Sequence, residues 1–363
     1  MHIQGQPTRT IWLNEDGWSV STFDQRLFPH RVELVRLRDV NEAARAIKDM
    51  VVRGAPLIGA TAAYGYALAL RDDPSDTGVA QAYQRLVETR PTAVNLKWAL
   101  DEVRAAAMAH VPHNRAEAAY ARAAEIVEDD VAVCARIGEH GLSIIRGLSE
   151  AKNGAPVNVL THCNAGWLAC IDWGTATAPI YMAHAAGIPV HVYVDETRPR
   201  NQGGALTAFE LGQEDVPHTV IVDNAGGHLM QAGAIDMCIV GTDRTAANGD
   251  VANKIGTYLK ALAAFDNDIP FYVALPHTTI DWTLARGRDI PIEERSPREV
   301  THVTGLNASG QVEEVQVVAS GSPAANPAFD VTPARLVTSL ITDRGICAAS
   351  REGLLSLFPE RRS

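Results

Sequence analysis

Val157-Asn158-Val159-Leu160-Thr161-His162-Cys163-Asn164-Ala165-Gly166 begins as a short apolar run and ends as a polar loop holding a cysteine and a glycine. The same rhythm recurs through the second half of the chain. Apolar runs stand at Val157–Leu160, Ile188–Val194, Thr219–Val222, Met237–Val240 and Pro270–Leu275, with helical stretches such as Thr177–Ala186 and Val251–Phe265 between several of them. Short strands alternating with helices predict an α/β fold: a doubly wound, Rossmann-like parallel sheet with helices on both faces and right-handed connections. Ligands bind such sheets outside the carboxyl ends of the strands. The residues after each run are therefore where chemistry is expected.

Those residues are polar. Thr161 to Gly166 follow the first run, and Asp195-Glu196-Thr197-Arg198 and then Gln202-Gly203-Gly204 follow the second. Asp223-Asn224, Gly241-Thr242-Asp243-Arg244 with Asn248-Gly249-Asp250, and Pro276-His277-Thr278-Thr279 follow the others. All can converge on one crevice.

Working outward toward the N-terminus, Ser149 to Pro156 has the composition of a linker. It divides a smaller α+β domain, residues 1–150, from a catalytic domain, residues 151–363. In the first domain Arg31 to Leu37 alternates apolar and polar residues as a half-buried strand does. Asp39 three residues before Glu42 predicts a capped helix start. Pro56 suits the first turn of a further helix running through Leu70. Arg71 to Gly78 reads as a loop, and alanine-rich helices fill Asn95 to Leu148.

Composition sets bounds. With 32 basic and 43 acidic residues the formal charge is −11, which argues against a nucleic-acid binder. The five cysteines are odd in number and contain no CxxC pair, and the first ten residues hold no signal-like apolar stretch. A cytoplasmic protein with free thiols and no membrane partner is the expectation. No GxGxxG or GxxxxGK[ST] occurs, so no dinucleotide or nucleoside triphosphate is expected as cofactor. His162 beside Cys163 has no ligand pair at zinc spacing, so no metal is expected either.

Residue types alone leave alternatives open. Cys163, in a glycine-containing loop after a strand, is as readily a reactive thiol as a small buried hydrophobe, and a helix starting after Asn164 would favour its thiolate. Asp243 shares its claim with Asp195, Asp223 and Asp250, and spacing favours a surface or capping acid. Arg53-Gly54-Ala55-Pro56 has the form of a turn feeding a helix N-terminus, which can hold an anion or be a plain capped turn. Arg90 is equally ambiguous. Lys254, taken with Asn253 as near a helix start, can reach a phosphate or simply be solvated.

Taken together, the motifs say more. Arg53-Gly54-Ala55-Pro56, Arg90-Pro91-Thr92-Ala93-Val94-Asn95-Leu96, Thr161 to Gly166, Glu196-Thr197-Arg198-Pro199-Arg200, Gln202-Gly203, Gly241 to Arg244, and Ala247 through Thr257 stand in one order. This set closely resembles the methylthioribose-1-phosphate isomerases of methionine salvage, within the translation initiation factor 2B alpha/beta/delta-like family. The match runs from Asp24 to Arg335. The resemblance implies a homodimer without cofactor, acting on a pentose 1-phosphate. It implies Cys163 and Asp243 as the catalytic pair, and Arg53, Gly54, Ala55, Arg90, Gln202, Asn253 and Lys254 as substrate-binding residues. The chain departs from the family at Thr242, where alanine is usual, and around Gly203 to Leu206, where an arginine is usual. The loop Gly203 to Glu210 offers no charge to grip a polar C5 substituent, so an apolar C5 pocket is expected. Two other readings share the fold: a ribose-1,5-bisphosphate isomerase, which needs a second phosphate site, and a non-enzymatic regulatory subunit, which acts by assembly.

Overall fold

The computed structural model describes residues 1–90 and 93–362, so Pro91 and Thr92 of the arginine motif lie outside the described residues. The N-terminal part opens with a three-stranded antiparallel meander, β1 (Ile11–Leu13), β2 (Val20–Phe23) and β3 (Leu34–Leu37). Asp39 then caps α1 (Val40–Lys48), its side chain accepting from the backbone N–H of Glu42 at 2.8 Å. Glu42 reaches back one residue further than a capping box requires, to the N–H of Arg38.

α2 (Ala55–Asp72) is apolar nearly all round and buried along most of its length. A helix of that kind belongs at the centre of a bundle. α1, α3 (Asp76–Val87), α4 (Val94–Met108) and α5 (Arg115–Ala151) surround it. The predicted loop at Arg71 to Gly78 is shorter than its composition suggests, because Ser75 caps α3 through the N–H of Gly78.

α5 continues to Ala151, so the first three residues of the linker expected at Ser149 to Pro156 are helix and only residues 152–156 connect the helix to the sheet. Its 37 residues span about 55 Å. Ala119, Ala123, Ile126 and Val127 pack into the helical core, while Val133, Ile137 and Ile145 pack beneath the large sheet. One helix thus ties the two cores together. The extreme N-terminus also crosses over: the Met1 ammonium pairs with Asp172 at 2.6 Å.

The large sheet holds β4 (Val157–Thr161), β5 (Val190–Asp195), β6 (His218–Ile221), β7 (Met237–Val240), β8 (Phe271–Leu275), β9 (Ser339–Thr342) and β10 (Gly345–Cys347). Their order is β10-β9-β8-β7-β4-β5-β6, all parallel except the β9–β10 hairpin. The five predicted runs are all strands, shifted by a residue or two. The chain winds outward from β4 to β5 and β6, then returns to the other side of β4 with β7. The switch point therefore lies between β4 and β7, where a crevice forms at the carboxyl ends.

The expected helix from Val251 to Phe265 is a correction. Val251–Lys254 is a strand, paired antiparallel with Arg244–Ala246 and with Phe329–Thr332 in a second, four-stranded sheet. Only Thr257–Asp266 is helical. Asn253 and Lys254 therefore sit at a strand end and not in the first turn of a helix. Among the described residues no helix is long and apolar enough to cross a membrane.

Candidate active site

The loop leaving β4 carries Cys163 in a left-handed backbone conformation, φ 66°, uncommon for a residue with a side chain. Two threonines hold it there. The Cys163 N–H donates to Thr197 Oγ1 at 2.8 Å, and Thr207 Oγ1 donates to the Cys163 carbonyl at 2.7 Å. The buried Sγ lies 3.6 Å from Gln202 Oε1 and 3.9 Å from the Arg53 guanidinium. Burial pushes its pKa up; Arg53 and Lys254 pull it down, and Asp243 pushes it up again. The helix expected after Asn164 is only a 3₁₀ turn at Trp167–Ala169, so the cysteine loop itself feeds no helix that would favour the thiolate.

Asp243 follows β7, across the switch point. Its N–H donates to the Ala252 carbonyl at 3.0 Å, which ties the loop to the second sheet. Burial raises the carboxyl pKa, against the opposing pull of Lys254, Arg90 and Arg53. The three rival carboxylates are committed elsewhere. Asp195 binds His162 Nδ1 at 2.8 Å and Lys260 at 3.1 Å. Asp223 accepts the N–H groups of Thr197 and Arg198, both at 2.7 Å. Asp250 accepts those of Ala334 and Gly287 at 2.8 and 2.9 Å. Cys163 and Asp243 line one small cavity with Arg53, Gly54, Ala55, Asn164, Thr242 and Asn253.

Arg53 is nearly sealed from solvent and donates to both the side-chain and the backbone oxygen of Asn164, the latter at 2.8 Å. Gly54 follows at φ 93°, at the N-terminus of α2. A Cβ there would stand 2.4 Å from the Ala169 carbonyl oxygen, so the close approach of this turn to the cysteine loop requires glycine. Arg90 pairs with Glu293 at 3.0 Å and lines a neighbouring hollow with Ala55 and Asp243. The Nε atoms of Arg53 and Arg90 are buried without a protein partner. Lys254 donates to the Ala328 carbonyl at 3.1 Å and lies 4.7 Å from the Phe329 ring centroid. Burial lowers its pKa, while Cys163 and Asp243 hold it up. Asn253 is fixed by Thr257 Oγ1 at 3.0 Å. The nine residues singled out from the sequence thus gather around one crevice.

The crevice opens into a cleft of about 550 Å³ reached past Arg53 and Gln202. Its apolar lining includes Phe28, Met50, Ala205 and Leu206. It is not purely apolar as expected, because Arg26, Arg200 and Arg298 arrive from other segments of the chain. Each is paired: with Asp24 at 2.6 Å, with Glu299 at 3.0 Å, and with Glu314, respectively. Sequence reasoning also missed Asn164 and Glu210, which brace Arg53 from behind. Only an acid spaced within an otherwise apolar helix pattern hinted at Glu210.

Among the described residues, two groups of side chains have the makings of a metal site. His162, Asp195 and Asp223 converge, but the Lys260 ammonium already supplies positive charge there, at 3.1 Å from Asp195. Asp130, Cys134 and Cys170 form the other, and Cys170 borders the cavity that holds Cys163.

A doubly wound sheet with reactive groups at its switch point, fused to a helical N-terminal body, is the architecture of one known class. The chain belongs to the initiation factor 2 subunit family, whose model matches residues 51–349. Within that class its full-length relatives carry a narrower name. It is 64% identical to a methylthioribose-1-phosphate isomerase of Methylorubrum populi, over 100% of this chain and 99% of the relative. It is also 64% identical to the enzyme of that name from Paramagnetospirillum magneticum, over 99% and 100%. Among solved structures, 5-methylthioribose 1-phosphate isomerase from Pyrococcus horikoshii OT3 superposes with a TM-score of 0.84 at 38% identity, covering 98% of this chain and 97% of that one. The delta subunit of translation initiation factor eIF-2B from A. fulgidus gives 0.79 at 35% identity, covering 97% and 100%.

Proposed function

We infer that this chain is an aldose–ketose isomerase of methionine salvage that converts 5-methylthioribose 1-phosphate to 5-methylthioribulose 1-phosphate, with 5-deoxyribose 1-phosphate as a second substrate. The relatives and the Pyrococcus horikoshii structure bear that name over essentially their full lengths. The observation that carries the reading is the shared cavity of Cys163 and Asp243, walled by the Arg53-Gly54-Ala55 turn and Asn253.

The substrate presents a specific difficulty. Phosphate on the anomeric oxygen prevents the ring from opening by loss of a hydroxyl proton. An acid must protonate the ring oxygen while the bond from C1 to that oxygen breaks. Asp243 suits this step, because burial favours its protonated form. Hydrogen then moves from C2 to C1, and the C2 hydroxyl gives up its proton as C2 becomes the ketone. That proton restores the acid, so the reaction is a net isomerisation. Cys163, with Gln202 and Arg53 around its sulfur, is assigned the place beside the reacting carbons. The phosphate dianion is assigned to Arg53, the backbone of Gly54 and Ala55 at the start of α2, and Arg90, Asn253 and Lys254. Positioning and exclusion of water in so small a cavity supply much of the rate.

Arg26, Arg200 and Arg298 of the outer cleft are each already paired with a carboxylate, which weighs against the bisphosphate reading. Presence of both Cys163 and Asp243 with the anion-binding turn weighs against a purely assembling subunit. We further propose that the chain works in the cytosol as a homodimer. The test of function is direct: the purified chain, given 5-methylthioribose 1-phosphate, should produce the ketose carbonyl by ¹³C NMR. A chain that leaves the aldose intact would refute the reading.

A further inference from the structure

We propose that Glu210 is a positioning residue: from behind the site its carboxylate fixes the side-chain amide of Asn164, and Asn164 in turn aims the guanidinium of Arg53 at the anion-binding turn. Glu210 lies on α6 (Ala208–Gln213), is completely buried, and does not border the cavity that holds Cys163 and Asp243. It can act only through other groups.

Its surroundings are made of donors. Oε1 accepts from Asn164 Nδ2 at 2.9 Å and from the Leu168 N–H at 2.8 Å. Oε2 accepts from the Trp167 N–H and the Tyr181 hydroxyl, both at 3.0 Å. The cysteine loop is wrapped around this carboxylate. At Gly166 a Cβ would stand 1.7 Å from Oε2, so the backbone passes as close as glycine allows. Burial pushes the carboxyl up to about 7 even with all these donors in place. A buried carboxylate is a costly way to fill space, and an apolar side chain on α6 would serve packing alone.

The consequence for Arg53 follows from amide chemistry. The two ends of an asparagine side chain are nearly identical in shape but opposite in hydrogen bonding. A carboxylate only accepts and a guanidinium only donates. Asn164 stands between one of each, with its NH₂ toward Glu210 and its oxygen toward Arg53. Rotating the amide would set oxygen against carboxylate and NH₂ against guanidinium. The oxygen that Glu210 turns to Asn164, kept an acceptor by the donors around it, therefore selects the orientation in which Asn164 presents two oxygens to Arg53. Thr207 reinforces it, accepting from Asn164 Nδ2 at 3.1 Å while donating to the Cys163 carbonyl.

The experiment compares Glu210→Gln, Asn164→Ala and the double variant, reading inorganic phosphate affinity by calorimetry, kcat and KM, and melting temperature. The glutamine keeps the shape but turns one acceptor into a donor, so the amide loses its fixed orientation. Glu210→Gln should weaken phosphate about 10-fold and raise KM similarly, the scale of one charge-assisted hydrogen bond. The double variant should be no weaker toward phosphate than Asn164→Ala alone. Glu210→Gln with a lower melting temperature but phosphate affinity within about twofold of wild type, the result of a merely structural role, would overturn the proposal, as would losses that multiply in the double variant. Should Glu210→Gln not fold, Asn164→Ala decides: it must weaken phosphate about as much as Arg53→Ala does. The proposal rests on the isomerase reading for its kinetic part only. A wild-type chain that binds phosphate and isomerises nothing would defeat that reading and leave the relay to be judged on binding.

Discussion

The guanidinium of Arg53 stands 3.9 Å from the sulfur of Cys163 and donates to the carbonyl of the next residue, Asn164, at 2.8 Å. One side chain therefore joins the anion-binding turn to the reactive loop. Removing it should be felt at both. Arg53→Ala is expected to weaken substrate and inorganic phosphate alike by about 1.5–3 kcal/mol, the range for a hydrogen bond to a charged group. It should also raise the Cys163 pKa further, since Arg53 heads the influences that lower it. Phosphate competition and the pH dependence of Cys163 alkylation measure the two effects. Unchanged phosphate competition would move the anion site elsewhere.

Cys163 is buried, and burial holds its thiol above the ordinary range. A neutral thiol is a poor base toward carbon-bound hydrogen. Hydrogen is therefore expected to pass directly from C2 to C1. Run in D₂O, the reaction should yield ketose without deuterium at C1. Deuterium there would mean that a base, Cys163 as thiolate foremost, removes the C2 proton.

Much of the fold was legible in the sequence, for identifiable reasons. Met237–Val240 is buried on both faces and reads as a continuous apolar run. The cap at Asp39 depends on residues three apart. Val251–Lys254 was misread because Val-Ala-Asn-Lys carries neither period, and its strand character comes from pairing with distant Phe329–Thr332. The site was legible only in part. Gly54 and Pro56 announce the turn, but four aspartates follow strands equally well. Only tertiary contacts commit Asp195, Asp223 and Asp250 to other partners. Glu210 was out of reach for the same reason: its role depends on what surrounds it.

The rim of the outer cleft should govern acid stability. Burial disfavours ionised Glu299, yet Arg295, at 2.7 Å, with Arg200 and Asn326 bring its pKa down to about 2. A carboxyl depressed in the folded state contributes stability above its unfolded pKa, near 4.5, and loses it as pH falls toward 2. Glu299→Gln should cost about 1.5–3 kcal/mol at neutral pH and flatten the loss of stability between those limits. Denaturant midpoints measured across that range check both. A variant as stable as wild type at pH 7 would show the cluster to be energetically idle.

On the proposed function, the outer cleft is expected to set substrate choice. Its apolar part, Phe28, Met50 and Leu206, suits a methylthio or methyl group, and such a pocket separates close homologues by about 1–3 kcal/mol. Turnover of 5-methylthioribose and 5-deoxyribose 1-phosphates should lie within about 10²-fold of each other. Ribose 1,5-bisphosphate should be poor, because Asp24, Glu299 and Glu314 already pair with Arg26, Arg200 and Arg298. Efficient use of the bisphosphate with little activity on the 5-deoxy sugar would overturn the assignment of this pocket.

The claim on which everything else depends is that Cys163 and Asp243, brought into one cavity from two strands, carry the reaction. The most direct test is steady-state turnover of 5-methylthioribose 1-phosphate by Cys163→Ser and Asp243→Asn, with substrate affinity measured alongside. Each variant should lose about 10²-fold or more in kcat, the usual weight of a group handling protons in the transition state, while binding substrate about as well as wild type. Turnover by either variant close to that of the unaltered chain would contradict the account.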